Sequence, residues 1–204
     1  MKKVLFIIIC LLFTGSNNMY GQNNQFTELA RETIVKFKCA ININNYKFYG
    51  LSSPDALDSL QIGEEIVHYA VPLRDLQNYN EEKDPNELVK EMGYVTVALM
   101  DQKTKSVESF VLLTRKDNEY HSTGIGQAPN SRNFMEMKRK TELGKDARLI
   151  RVPALNKAYL GVEIEDILNL IPIDGDQKVT DPQPASVIFA ELAKQITQGE
   201  DFPH

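Results

Sequence analysis

The apolar residues of this chain recur at two spacings, one typical of helices and one typical of strands. Between residues 25 and 38 they recur every three or four positions, which predicts a helix with one apolar face. That face comprises Phe26, Leu29, Ala30, Ile34 and Phe37. Similar patterns predict further helices at 73–79, at 86–92, from Asn130 or Ser131 to Thr141, and after Asp181 and Pro182.

Strand patterns dominate the middle of the chain. Apolar and polar residues alternate in 94–100, and two similar segments, 107–114 and 119–125, follow after short polar turns, which favours an antiparallel meander. Further strands are predicted at 46–49, 65–71, 148–152 and 157–164, whereas 58–63 fits a short helix or turn and 167–173 fits a strand or a helical turn. The sequence therefore predicts a single α+β domain at 22–204. It has an N-terminal helix, a mainly antiparallel sheet of about five or six strands, and further helices packed on the sheet.

The first 21 residues have the composition of a secretory signal peptide. Lys2 and Lys3 supply a positive start, and residues 4–13 form an uncharged apolar run. This run is shorter than the roughly 20 apolar residues that a membrane-spanning helix needs. Gly21 provides the small side chain that signal peptidase requires before its cut. The sequence therefore predicts a signal peptide at 1–21 and a mature chain that is periplasmic or secreted, without a transmembrane span.

Two alternative forms of N-terminal processing have weaker support in the sequence. A cut after Ser16 would place Thr14 at the second position that requires a small residue. Lipidation would make Cys10 the first residue, but the residue before a lipidated cysteine should be small, and here it is Ile9. The pattern therefore argues against a lipoprotein.

The charge balance of the chain restricts its partners. It has 23 basic and 28 acidic residues, a formal net charge of −5, and removal of the two signal-peptide lysines makes the mature chain more acidic. Binding to phosphate backbones needs clustered lysine and arginine, so nucleic acid is not expected as a partner. An exported acidic domain can still bind a protein or a glycan of the cell envelope, and these are the partner classes that we expect.

Cys39 is the single cysteine that remains after the predicted signal peptide, so no intrachain disulfide can form. A lone thiol is either a buried packing residue or a nucleophile, and a nucleophile needs a neighbouring base. The candidate bases are His68 and His121, both on predicted strands. No cysteine-hydrolase or serine-nucleophile motif is present, so a buried structural Cys39 is favoured over a catalytic one.

The segment 132–151 is the one locally basic part of the chain, with seven basic and three acidic residues. Its residues Arg132, Lys138, Arg139 and Lys140 are candidates for binding an anionic glycan, a lipid headgroup or an acidic partner. The alternative is a solvated helix face.

Three further motifs are incomplete. Gly124-Ile125-Gly126 lacks the third glycine of a dinucleotide loop and the lysine of a Walker loop, so a turn is expected. Asp174 and Asp176 lack the later glutamate of an EF-hand, and no histidine–cysteine cluster suggests zinc. The sequence therefore predicts neither a metal nor a cofactor. Asp58-Ser59-Leu60 resembles the short acceptor of an O-glycosylation system of exported bacterial proteins.

A further resemblance rests on several short phrases in a fixed order. They are Tyr49-Gly50, Gly63-Glu64-Glu65-Ile66-Val67-His68-Tyr69, Pro72-Leu73, Gly124-Ile125-Gly126 and Arg151-Val152-Pro153-Ala154-Leu155. In this order they are similar to a loose group of uncharacterised exported bacterial proteins. The resemblance implies an exported domain and assigns no residue a role.

These observations favour one function class and leave two others open. The favoured hypothesis is an exported, non-catalytic binding module of the cell envelope. The alternatives are an envelope hydrolase that uses Cys39 and a pro-region or protease-inhibitor-like domain.

Overall fold

The computed structural model describes residues 17–141, 146–173 and 181–197, with side chains from Gln25 onward. The helices of this part of the chain are α1 (Asn17–Lys38), α2 (Leu73–Gln77), α3 (Pro129–Thr141) and α4 (Ala185–Thr197). Its strands are β1 (Leu60–Ala70), β2 (Lys90–Asp101), β3 (Val107–Lys116), β4 (Glu119–Gly126), β5 (Arg148–Val152), β6 (Lys157–Ile164), β7 (Ile167–Pro172) and β8 (Gln183–Pro184). Most of the predicted signal peptide, residues 1–16, lies outside the described residues.

The strands form one mixed sheet in the order β4-β3-β2-β1-β5-β6-β7-β8. Strands β1 and β5 pair in parallel, whereas β3 with β4 and each successive pair from β5 to β8 are antiparallel. The predicted α+β class and N-terminal helix are confirmed. The predicted number of strands is wrong, because the described part of the chain has eight. The segment 167–173, for which the sequence left a strand or a helical turn open, contains strand β7. Gln183 and Pro184, directly before α4, form the short strand β8.

Three local predictions are also wrong. Residues 60–63, expected in a short helix or turn, are the first residues of β1. Residues 46–49 form a 3₁₀ helix rather than a strand. The backbone NH of Asn42 donates to Asn45 Oδ1, and this turn leads directly into the 3₁₀ helix, which Gly50 ends in a left-handed conformation. Residues 86–92 do not form an α-helix, because a 3₁₀ helix at Pro85–Leu88 is followed by β2 from Lys90.

The chain divides into two compact units. Unit 1 contains the described residues 17–65 and 97–127, and unit 2 contains the described residues 66–96, 128–141, 146–173 and 181–197. Strands β1 and β2 each contribute residues to both units. The single domain at 22–204 stays a prediction.

In unit 1, α1 packs on β3 and β4. Phe26 meets Tyr120 edge to face at 4.9 Å between ring centroids. The ring of Phe37 lies 3.7 Å from the position that a Cβ would take at Gly124. Ala30 and Thr33 are buried between these two contacts, so one side of α1 faces the sheet.

In unit 2, helices cover both faces of the sheet. Ile150 and Val152 of β5 share a core with Phe189 and Leu192 of α4. Successive side chains of a strand point to opposite faces, so Leu149 and Arg151 lie on the other face. Helix α3 packs on β5 and β6. The bond between Ser131 of α3 and His68, whose Cα partner is Leu149, places α3 on that second face.

Candidate functional site

Three polar side chains meet in the interior of unit 2. His68 comes from β1, Thr96 from β2 and Ser131 from the first turn of α3, and we call them the His68 cluster. His68 Nε2 lies 3.1 Å from both Thr96 Oγ1 and Ser131 Oγ, and the two hydroxyl oxygens are 2.9 Å apart. His68 is 2% exposed, and Thr96 and Ser131 are 0% exposed. The cluster is therefore a closed ring of hydrogen-bonding groups sealed from solvent.

Two buried nitrogen atoms at or near the His68 cluster have no hydrogen-bond partner among the described residues. Among the described residues, neither His68 Nδ1 nor Arg151 Nε makes a hydrogen bond, although both atoms are buried. His68 and Arg151 lie on the same sheet face, because Ala70 of β1 is the Cα partner of Arg151 in β5. The guanidinium of Arg151 therefore lies on the same side of the sheet as the imidazole of His68.

Burial, and secondarily the charge of Arg151, lowers the pKa of His68 to about 4. The imidazole is therefore neutral at pH 7. Tyr94 packs edge to face on it, with 4.6 Å between ring centroids and 69° between planes. Burial raises the pKa of Tyr94, so its phenol is also neutral at pH 7.

A serine hydroxyl beside a histidine nitrogen resembles the nucleophile and base of a hydrolase. In such enzymes a carboxylate on the other ring nitrogen stabilises the imidazolium that forms when the base takes the serine proton. Here Arg151 destabilises the imidazolium, and the low pKa of His68 makes it a weak base. Ser131 is also closed to a substrate, since it is fully buried. The arrangement can hold α3 to the sheet, and it is poorly suited to hydrolysis.

Two of the three candidate catalytic residues are in unit 1. Cys39 directly follows α1 and is exposed, so the expectation that it is buried is wrong. His121 is exposed on β4, and among the described residues no hydrogen bond joins it to Cys39. His68 instead bonds to hydroxyls within unit 2. Within the described ranges, Cys39 therefore has no histidine partner of the kind that a cysteine hydrolase needs.

The four candidate binding residues of the basic segment all lie on α3, but they do not share one face. The buried side of the helix comprises Ser131, Phe134 and Met137. Lys138 follows Ser131 by two helical turns, which puts its stem on that side, and it is half-buried. Arg139 and Lys140 are exposed, and Arg132 is half-buried. Their role in binding stays a prediction.

The remaining motifs have local structural roles or lie outside the described residues. Gly124 has φ +153° at the irregularity where the β3–β4 register shifts, so this glycine serves strand geometry. Ser59 is exposed, and its hydroxyl donates to the carbonyl of Ala56 at 3.0 Å. Asp174 and Asp176 lie outside the described residues.

Unit 1 contains a groove that the sequence analysis did not predict. Its volume is about 490 Å³, and it separates α1 from the segment 57–63. We call it the α1 groove. It is lined by Thr27, Arg31, Ile34, Val35 and Lys38 of α1, and by Leu57, Leu60, Ile62 and Gly63.

The lining of the α1 groove follows the periodicity of the helix. Thr27, Arg31, Ile34 and Lys38 are four, three and four residues apart, so they form one stripe along α1. This stripe is separate from the buried stripe that contains Phe26 and Ala30. Ile34 was assigned to the buried stripe from the sequence, yet it is only half-buried in the groove. Val35, the apolar residue next to Ile34, was the signal in the sequence that α1 has a second apolar side.

Two cationic side chains, Arg31 and Lys38, line the groove. Arg31 forms an ion pair with Glu28, and Lys38 forms one with Asp58. All four side chains are largely exposed, and neither acidic partner lines the groove. The α1 groove therefore combines apolar side chains with two cationic groups.

In the described ranges, no three His, Cys, Asp or Glu side chains come close enough to hold a metal ion. No helix within those ranges has both the length and the apolar character that crossing a membrane requires. Comparison with protein-family models, with curated proteins and with solved structures found no match for this chain.

Proposed function

We propose that this chain is a non-catalytic binding module exported to the cell envelope, and that the α1 groove holds its partner. The observation that carries the proposal is the groove itself, an open concave surface lined about equally by polar and apolar surface. Concave sites of this kind can bind a partner, because apolar contacts supply affinity and polar groups fix orientation.

The exposure of Val35 supports a role in binding. Its side chain is 67% exposed beside the half-buried Ile34, Leu60 and Ile62. Covering apolar surface is favourable by about 25 cal/mol per Å², so a partner that fills the groove gains free energy from each of these side chains.

The chemistry of the His68 cluster supports the non-catalytic part of the proposal. Its histidine is a weak base beside a cation, and its serine is sealed. The export part rests on the signal-peptide pattern of residues 1–21. We expect N-terminal sequencing of the exported chain to begin at Gln22.

Site-specific photo-crosslinking in living cells tests the binding proposal. A benzophenone amino acid replaces Val35 in the groove, and the matched control places it at Val187 of α4, another exposed valine. We expect one discrete crosslinked product from position 35 and none from position 187. The product should disappear when Ile62→Asp is added, in a variant whose melting temperature shows that it remains folded. If no groove position gives a product although the chain is exported, the proposal is wrong.

A further inference from the structure

We propose that Tyr94, His68 and Arg151 form a binding site for a carboxylate in unit 2, and we call it the Arg151 site. The proposal is independent of the α1 groove, because every residue that lines the groove belongs to unit 1. It follows from the position of the three side chains on the sheet, from their missing partners and from their charge.

The three side chains come from neighbouring strands and lie on one face of the sheet. The strand order β2-β1-β5 places Tyr94, His68 and Arg151 on adjacent strands. Tyr94 is two residues from Thr96, which bonds to His68 Nε2, so both residues of β2 face the side of His68. The rings of Tyr94 and His68 are in contact, with 4.6 Å between their centroids. Arg151 reaches this face from β5, where its Cα partner in β1 is Ala70, two residues beyond His68.

None of the three side chains finds a complete set of partners in the described part of the chain. His68 Nδ1 and Arg151 Nε are buried and make no hydrogen bond there. Among the same residues the guanidinium of Arg151 forms no ion pair, and the hydroxyl of Tyr94 forms no hydrogen bond. Native proteins pair almost all of their buried polar groups, and an unpaired buried charge is costly. The unpaired groups therefore point to a ligand that supplies the hydrogen-bond acceptor.

The depth of the three groups gives the site an entrance and an inner end. Arg151 and Tyr94 are half-buried, so solvent reaches part of each side chain, whereas His68 is 2% exposed. A ligand that enters beside the guanidinium and the phenol would meet His68 Nδ1 last. Helix α3 packs on the same face through Ser131, so a compact group fits this site better than a large one.

The charge of the site selects an anion with a single negative charge. Burial, and secondarily the charge of Arg151, lowers the pKa of His68 to about 4. Burial raises the pKa of Tyr94, and the charge of Arg151 opposes that rise. Both rings are therefore neutral at pH 7, and Arg151 carries the positive charge of the site. A carboxylate balances this charge, and its two oxygens match two N–H donors of a guanidinium. A phosphate group carries more negative charge than one guanidinium balances.

Carboxylate binding should fix the tautomer of His68. A carboxylate only accepts hydrogen bonds, so it can bond to Nδ1 only when that nitrogen carries a proton. Nε2 is then the acceptor, and the hydroxyl of Thr96 or Ser131, each 3.1 Å from Nε2, can donate to it. Arg151 supplies the second N–H donor through Nε. We therefore expect the bound state to have the proton of the imidazole on Nδ1.

NMR of the purified exported chain with ¹⁵N-labelled histidine tests the proposal at pH 7, in a buffer without carboxylates. Sodium acetate is titrated against sodium chloride at equal ionic strength, and the resonances of His68 are assigned with His68→Gln. We expect acetate, and not chloride, to change the Nδ1 resonance of His68 in a saturable way, with Nδ1 protonated in the bound state. The exposed His121 on β4 is the internal control, because its resonances should stay unchanged.

Matched variants locate the binding. Arg151→Gln should weaken acetate binding at least about tenfold, because it removes the charged donor. Arg148→Gln is the control, since Arg148 of the same strand faces the other side of the sheet and pairs with Glu163. Tyr94→Phe removes only a hydroxyl and should weaken binding about fivefold. Melting temperatures in chloride check that the variants remain folded.

Two peptides distinguish a free acid from the end of a peptide chain. N-acetyl-dialanine has a C-terminal carboxylate, whereas its C-terminal amide has none. Binding of both acetate and this peptide would include chain ends in the ligand class, and binding of acetate alone would restrict the site to small free acids. The amide should leave the resonances of His68 unchanged in either case.

Three results would overturn the proposal. The first is a His68 resonance that does not respond to acetate, as expected if a water molecule is the partner of Nδ1. The second is an equal response to chloride, which would show an adventitious ion only. The third is a response that remains undiminished in Arg151→Gln. None of these results affects the α1 groove, so crosslinking at position 35 still decides the proposed function separately.

Discussion

Acidification should destabilise the folded chain through His68. In the unfolded state a histidine has a pKa of about 6.5, whereas burial beside Arg151 lowers the pKa of folded His68 to about 4. Between these two pH values the unfolded chain binds a proton at residue 68 and the folded chain does not. The free energy of unfolding therefore falls as the pH is lowered from 6.5 to 4, by about 1.4 kcal/mol for each pH unit.

The size of the effect is large relative to the stability of a typical domain. Over the whole window the loss is about 3 kcal/mol, whereas domains of this size are stable by about 5–15 kcal/mol. The contribution of His68 is complete above pH 6.5 and is lost below about pH 4.

The measurement is urea unfolding followed by circular dichroism at several pH values between 7 and 4. Wild type is compared with His68→Gln, because glutamine can still bond to the hydroxyls of Thr96 and Ser131 and does not titrate. Other acidic groups affect both proteins, so the difference between their unfolding free energies isolates residue 68. At pH 7 we expect the variant to be less stable, and by pH 4 the comparison should shift in its favour by about 3 kcal/mol.

His121→Gln is the control, since it removes a histidine that is exposed on β4 and belongs to no buried cluster. Its unfolding free energy should run parallel to that of wild type. A difference between wild type and His68→Gln that stays constant from pH 7 to pH 4 would refute the reasoning. So would an imidazole of His68 that titrates near pH 6.5 by NMR.

Three further predictions follow from local geometry. Gly50→Ala should lower the free energy of urea unfolding by about 1–2 kcal/mol, because Gly50 has φ +75°. Gly126→Ala should be nearly neutral, since its Cβ would meet Leu112 at an ordinary 3.8 Å, and equal losses would contradict the argument. Cys39 is exposed and should react with a maleimide in the folded protein, and protection until urea is added would show that the thiol is covered. Ser131 should stay unlabelled by a fluorophosphonate, while Ser131→Ala should cost about 1–3 kcal/mol in urea unfolding because it opens a buried hydrogen-bonded ring. Labelling of Ser131 would instead show that the cluster opens to substrates.

Local periodicity predicted most of the secondary structure. Strands β5 and β6 match the predicted ranges, because their alternating pattern is bounded by clear turn residues. The 3₁₀ helix at Tyr46–Tyr49 was missed, since aromatic residues favour strands and only the asparagine turn before it decides otherwise. Strand β1 begins at Leu60, earlier than the sequence predicted. Its first residues pair with a neighbouring strand, and the residue pattern of β1 alone does not identify that strand.

The candidate sites were harder to predict than the fold. From the sequence, His68 was considered only as a possible base for Cys39. Thr96 was considered only as a strand residue, and Ser131 only as a possible helix cap. Serine and threonine are common on polar faces and at helix starts, so nothing in their local pattern marks them as buried. The α1 groove was hidden because Ile34 fits the spacing of the buried stripe as well as that of the groove.

The sequence by itself determined the α+β class, the amphipathic N-terminal helix and the acidic balance of the chain, because these depend on composition and on spacing within single segments. Tertiary structure decided which face each segment buries and which distant residues meet. Pairing of β1 with β5 puts Arg151 on the face of His68, and packing of α3 on that face adds Ser131. Packing of α1 on β3 and β4 leaves Ile34 and Val35 beside an open groove. Pairings of this kind connect residues far apart in the chain, so they depend on the packing of whole elements rather than on any local pattern.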